Sequence, residues 1–413
     1  MNPLARKIQN THLLLTFGNT FAASLIWGIN TLFLLDAGLS NFQAFAANAF
    51  FTIGMVLFEI PTGIVADTWG RRTSYLLGTL TLASTTFLYY LLWQTHAPFW
   101  QWAAVSSLLG LGFTFFSGAT EAWLVDALDF AKFNGSLESV FGKAQIATGV
   151  AMLSGSVSGG IIAEYTSLGM PFIIRGVILS LLFIVAFVLM KDLGFTPEKN
   201  VKPIKMIKRT LNESLKHGLK NPPVKWLMIS ALFSSSVGFY VFYALQPYLV
   251  GLYGDTEAYT IAGLAAALVA GAQIVGGILA PKIRKLFRLR TSAIIMATLA
   301  SCAVLVTLGL ISNFYIALIF VAAWGLLFAA IMPIRQAYLN GMIPSKQRAT
   351  VLSFDSLMGN SSGIVVQPGL GKSADVYSYG TSFIIGSVIQ LLALPFIYLS
   401  RTQHHVADKR DSE

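Results

Sequence analysis

The chain has 413 residues, of which 55% are hydrophobic and 11% charged; its mean hydropathy is +0.67, and no polar shell could cover a soluble core of that composition. The 28 Lys and Arg exceed the 18 Asp and Glu by ten, but they sit in short loops between apolar runs, as cations do on the inner side of a membrane, and give no reason to expect nucleic acid. A single cysteine, Cys302, excludes a disulfide framework. The five histidines read as lying in loops, tails or span ends, so neither a metal nor any other cofactor is expected.

Apolar runs long enough to span a bilayer occupy 12–35, 42–66, 73–93, 99–126, 140–163 and 171–190, then 226–250, 258–280, 291–312, 314–339, 351–373 and 380–400. The first follows Arg6 and Lys7 and lacks a small-residue cleavage site, so it reads as a retained span. The pattern predicts an all-α integral membrane protein with twelve transmembrane helices as two six-helix bundles. The bundles run over 1–190 and 226–400, with a linker at 191–225 and a cytoplasmic tail at 401–413. With both termini cytoplasmic, inner segments carry 24 of the 28 Lys and Arg, and the outer loops carry none. That asymmetry predicts a multi-pass protein of the inner membrane.

Within the linker, Ile204, Ile207, Leu211, Leu215 and Leu219 recur at three- and four-residue steps, with Lys205, Lys208, Arg209 and Lys216 between them. This reads as an amphipathic helix on the anionic inner leaflet, or simply as a tether between halves. An internal repeat is visible at an offset of 214. It relates Glu59 to Gln273, Gly63 to Gly277, Glu121 to Arg335, Asp126 to Asn340 and Gly149 to Gly363. One offset held over several spans predicts two pseudo-symmetric halves in parallel orientation, able to rock about a central site.

The loop after the second span reads Gly63-Ile-Val-Ala-Asp67-Thr-Trp-Gly70-Arg71-Arg72. It resembles the G-x-x-x-D-x-x-G-R-[KR] signature of the major facilitator superfamily, with every fixed position filled. The resemblance implies a secondary transporter whose inner side is latched by this loop, and it is most similar to bacterial twelve-span drug exporters. Gly63 would permit close helix approach and Gly70 a tight turn, while Asp67 would pair with Arg71 or cap a helix. Asp126 would complete the charge cluster. Two stretches depart from the exporters' pattern. Ser156 replaces the proline of a G-P-x-x-G-G element at Gly155–Gly160, and Ser107 stands where an arginine is usual. No phosphate loop, nucleophile elbow or paired-His motif is present, so an enzyme is not expected.

An ionisable group inside a span is a functional candidate by default. Glu59 reads either as a proton-coupling group or as half of a structural ion pair. Glu121 reads as a proton site or as the gating partner of Arg335, its mate in the repeat. Asp355 is expected to cap a helix N-terminus, and Arg175 to snorkel toward headgroups. The resemblance implies that spans 1, 4, 7 and 10 line the cavity, which makes Asn19, Trp27, Asn30, Phe113, Ser117, Tyr240, Tyr243, Gln246, Trp324 and Phe328 the cavity candidates. Such walls suit amphipathic, cationic molecules. The expected function is proton-coupled efflux of amphipathic small molecules; the alternative is proton-coupled uptake of a nutrient or vitamin. The expected partners are a small-molecule substrate, protons or another ion, and anionic lipid, with the protein a monomer.

Overall fold

The computed structural model describes residues 2–197, 218–343 and 348–409, and among them every long element is helical. The first is α1 (Pro3–Trp27), which begins nine residues before the first apolar run. Asn2 accepts from Leu4 N at 3.0 Å and Pro3 occupies the first turn, a pairing that suits a helix start. A 48° bend at Gly28 and Ile29 separates α1 from α2 (Asn30–Asp36). Next come α3 (Asn41–Trp69) and α4 (Arg71–Gln94), with only Gly70 between them. The fourth expected span is broken into α5 (Phe99–Thr114) and α6 (Ala119–Phe130). The break ends at Gly118, whose φ of 68° stops helix propagation. Then follow α7 (Leu137–Tyr165) and α8 (Met170–Leu189).

The remainder comprises α9 (Pro222–Tyr253), α10 (Tyr259–Lys285), α11 (Arg290–Leu310), α12 (Phe314–Met342), α13 (Arg348–Ser361), α14 (Gly363–Val376), α15 (Tyr379–Leu391), α16 (Ala393–Arg401) and a 3-10 turn, η1 (Val406–Asp408). Among the described residues, ten helical segments, with α5–α6 and α15–α16 each taken as one, are long and apolar enough to cross a membrane, or eleven if α1 and α2 form one bent span. At 351–373, where one span is expected, α13 and α14 are 14 residues each and meet at Ser362. The amphipathic helix expected over Ile204–Leu215 lies outside the described residues.

Two compact units emerge: one of residues 1–39, 50–204 and 257–267, the other of 40–49, 205–256 and 268–413. In the first, Tyr75, Trp123, Leu124, Leu179 and Met190 belong to a buried apolar core. In the second, Leu227, Met228, Tyr338, Leu339 and Ile397 do the same. Lipid-facing surface shows on α8. Its Val177, Leu181, Ile184 and Val188 are exposed at four-, three- and four-residue steps, while Gly176, Leu179, Leu182 and Ala186 are buried. A helix with an exposed apolar stripe expects a solvent that is itself apolar. Arg175 is only 3% exposed, so it does not snorkel outward; it lies on the packed face of α8 instead.

Candidate functional site

In the first unit the signature loop is a charge cluster. Asp67 accepts from Arg71 Nη1 at 2.5 Å, and Arg71 Nε lies 3.9 Å from Asp126 Oδ2. Gly70 has φ 109°, and a Cβ there would collide with the carboxylate of Asp192. Asp192 is a member of this cluster that the signature does not include. Its Oδ1 accepts from Arg72 N at 2.8 Å, capping the N-terminus of α4, while Asp67 takes the first of its two expected roles, the pairing with Arg71. Arg72 also donates from Nη2 to Phe187 O at 2.5 Å, with its guanidinium 4.8 Å from the Phe187 ring. The chain after α8 thus folds back over the loop, and Lys191 O accepts from Trp123 Nε1 at 2.7 Å. Burial lifts the Asp192 carboxyl above its ordinary range. Its hydrogen bond from the Arg72 backbone and the charges of Arg72 and Arg71 oppose that, while Asp126 adds to it. Gly63 does not serve close helix approach, because a Cβ there would meet nothing within 4 Å.

Beside this cluster, still in the first unit, the break between α5 and α6 opens a cavity of about 580 Å³. Ser117 in the break donates to Glu59 Oε1 at 2.6 Å, so the half-buried carboxylate of α3 is tied to span 4 by a hydroxyl, and no cation among the described residues pairs with it. Glu121 stands exposed in the first turn of α6 and lines the cavity with Asn19, Phe113 and Ser117. The sequence reading missed several other lining residues. His12, Thr16 and Thr20 stand at four-residue steps on α1, and Gln145 and Thr148 on α7. His12 was assigned to a loop or span end, yet it is 3% exposed inside α1. The period of four was readable; the true start of α1 was not. These walls are richer in hydroxyls and amides than the aromatic cavity expected. Trp27 and Asn30 are half-buried at the two sides of the α1–α2 bend and do not line it.

Ser107 lies at a close helix crossing. At the crossing of α3 and α5, a Cβ on Gly54 would collide with Ser107 O, and one on Gly110 with Phe51 O. Backbones meet there, and the Ser107 hydroxyl bonds Ala103 O at 3.0 Å and Phe50 O at 3.3 Å. The glycines near Ser156 likewise serve packing, since Gly155 and Gly159 lie against the α1 backbone.

In the second unit the structure pairs Arg335 with Asp355. Arg335 Nη1 and Nη2 donate to Asp355 Oδ2 and Oδ1 at 2.7 and 2.6 Å, and both side chains are nearly buried. Asp355 is therefore an ion-pair partner inside α13 and not a helix cap. The two carboxylate oxygens match the planar guanidinium fork, which is why arginine suits the position. Tyr240 is fully buried, donates to Ser382 Oγ at 2.6 Å and packs its ring 4.5 Å from Phe45, so it serves the core. Gln246 is 1% exposed. Trp324 is buried and stacked on Phe328 at 5.6 Å, and Phe328 in turn fills the space above Gly238. Tyr243 is half-buried with its ring against Phe242.

Asp408, in the expected tail, accepts from Thr291 N and from Thr291 Oγ1, both at 2.7 Å, and so caps α11. The chain is docked there further, for Arg290 donates to Ala407 O and Leu289 pairs with Lys409. In each unit, then, an aspartate just past the last long helix caps the helix that follows the signature-loop position. Glu164 Oε2 caps α10 in the first unit, accepting from Thr260 N at 2.8 Å. Asp375 caps α3 in the second, accepting from Asn41 N and Phe42 N at 2.8 Å each.

Residues 13–365 match the Major Facilitator Superfamily, and the chain belongs to that family of multi-pass membrane transporters. No curated protein matches the sequence. Among solved structures, the nucleoside transporter NupG has a TM-score of 0.77 at 11% identity, covering 95% of this chain and 98% of its own. A bacterial homolog of the human lysosomal transporter Spinster scores 0.74 at 15% identity, with both chains covered in full. A D-xylose–proton symporter scores 0.68 at 16% identity, covering 96% and 98%. At such identities the likeness is one of fold.

Proposed function

We propose that the protein is a proton-coupled secondary transporter of the inner membrane that exports amphipathic small molecules, as twelve-span drug exporters do. It would work as a monomer with both termini cytoplasmic, in anionic lipid, by alternating access of twelve helices. These form two pseudo-symmetric bundles, 1–190 and 226–400, joined by the linker 191–225 and followed by the tail 401–413. Gly63, Asp67, Gly70, Arg71, Arg72 and Asp126 serve as the inner latch, now with Asp192. The carrying observation is Glu59, a carboxylate inside a span whose partner is the Ser117 hydroxyl at the broken helix beside the cavity. A carboxyl held by a hydroxyl can give up and regain a proton without stranding a buried cation.

A second reading is uptake of a small hydrophilic nutrient with protons. It is favoured by the hydroxyls and amides of Thr16, Asn19, Thr20, Gln145 and Thr148 on the cavity wall.

Proteoliposomes with an imposed pH gradient of either sign separate the two readings. Glu59→Gln keeps a side chain able to bond Ser117 but carries no titrating proton. It should abolish gradient-driven accumulation while leaving substrate counterflow intact. Full pH-driven transport by Glu59→Gln would remove Glu59 from the coupling path.

A further inference from the structure

We propose that the cavity of the first unit is selective for a protonated amine bearing a hydroxyl group, with Glu121 as its counter-charge and His12 as a hydrogen-bonding anchor. This rests on the transporter reading and names the substrate class of that site.

Charge comes first. Among the described residues no lysine or arginine lines the cavity, and the one carboxylate on its wall is Glu121. Glu121 is exposed and makes no ion pair or hydrogen bond among the described residues. Arg71, four residues before the wall residue Tyr75, is held by Asp67 and approached by Asp126. An anionic solute would therefore meet uncompensated negative charge, whereas an ammonium would complete a pair in a partly desolvated site.

The hydrogen-bonding complement comes second. His12 is 3% exposed, and its Nδ1 has no hydrogen-bond partner among the described residues, although burying such an atom unpaired is unfavourable. A ligand hydroxyl would satisfy it. Asn19 and Gln145, facing the same space from α1 and α7, can serve the remaining polar groups of the ligand. The rings of Phe113, Phe116 and Phe141 on the same wall offer faces to a flat body or to the ammonium.

A matched series tests this on the purified full chain in detergent, with binding read by calorimetry and no gradient imposed. Tyramine, its neutral alcohol counterpart tyrosol and its acid counterpart 4-hydroxyphenylacetate share one hydroxylated ring and differ in charge. Tyramine should bind wild type at least about tenfold tighter than either, a difference of about 1.4 kcal/mol. Glu121→Gln should lower tyramine to the level of tyrosol, while Glu121→Asp should keep the preference, which excludes simple misfolding. Phenethylamine lacks the hydroxyl, and His12→Leu should narrow the gap between it and tyramine without changing the response to charge.

Equal binding of the three probes, no tyramine binding in the millimolar range, or a preference that survives Glu121→Gln would overturn the assignment. So would a His12→Leu variant that still discriminates tyramine from phenethylamine as wild type does. A tyramine preference without gradient-driven transport would support this assignment and overturn the coupling scheme, so the two failures are distinguishable.

Discussion

At the scale of single residues, the most buried of the described ion pairs is that of Arg335 and Asp355. Two hydrogen bonds of 2.7 and 2.6 Å join side chains that are 11% and 8% exposed. Such a pair is not a large net gain over apolar packing, but removing one partner strands the other. Arg335→Gln or Asp355→Asn should each cost about 3–5 kcal/mol and lower the thermal midpoint of the purified protein. The double change Arg335→Met with Asp355→Leu should recover most of that loss. Single variants that melt like wild type would show that water reaches the pair. The sequence marked Arg335 as unusual because a charge inside an apolar run is conspicuous at any offset. Its partner was not legible there. The repeat drew attention to Glu121, the equivalent position in the other half, while Asp355 is supplied by α13 within the second unit.

At the scale of elements, two glycines with positive φ end helices for different reasons. Gly118 at φ 68° has open space around its missing Cβ, so Gly118→Ala meets only the backbone penalty of the left-handed region, about 1 kcal/mol. Gly70 at φ 109° has the Asp192 carboxylate where a Cβ would stand. Gly70→Ala should therefore lower the thermal midpoint clearly more than Gly118→Ala, and Asp192→Ala should relieve part of the difference. Equal losses would show that the cap moves aside freely. Gly70 was legible from its signature. The break at Gly118 was not, because hydropathy reports what surrounds a segment, and a continuous apolar run can be one helix or two. For the same reason α13 and α14 read as one span. The boundaries of α1 slipped the other way. His12 and Gln9 are polar, yet both are buried against neighbouring helices, so a hydropathy boundary falls inside the real helix.

At the scale of the whole molecule, the two halves repeat a device that the offset of 214 did not reveal. Asp192 and Asp408 follow their respective helical runs and each accepts a backbone N–H at the start of a helix, at 2.8 and 2.7 Å. They stand 216 residues apart, a register slightly different from that of the spans, which is why aligned spans alone did not expose them. The all-helical, many-span character and the family were legible because lipid imposes length and apolarity on every crossing. These end pieces obey no such rule and were read as linker and tail. Asp192 also leaves a trace in pH. Its carboxyl is raised above the ordinary 3.8, so in the window just above that value the folded state holds more protons than the unfolded one. Stability should then fall as pH rises through that window. Asp192→Asn retains an acceptor for Arg72 N and should flatten this slope in a series of melts from about pH 4 to pH 7. An unchanged slope would assign the trend to other groups.

The closed pair in the second unit has an electrical consequence. A membrane potential does work only on net charge displaced across it, about 2.3 kcal/mol per elementary charge per 100 mV. Arg335 and Asp355 travel together as a neutral body, so no voltage can push α12 through them, whatever path that helix takes. Among the described residues no cation pairs with Glu59 or Glu121, so under the proposed mechanism the current carried by each cycle should follow their protonation and the charge of the cargo. Arg335→Gln breaks that neutrality, leaving Asp355 as a lone anion in the field. Recorded on a solid-supported membrane, the variant should show transport currents that vary more steeply with applied potential than those of wild type. Superimposable current–voltage curves would mean that Asp355 takes up a proton once its partner is gone.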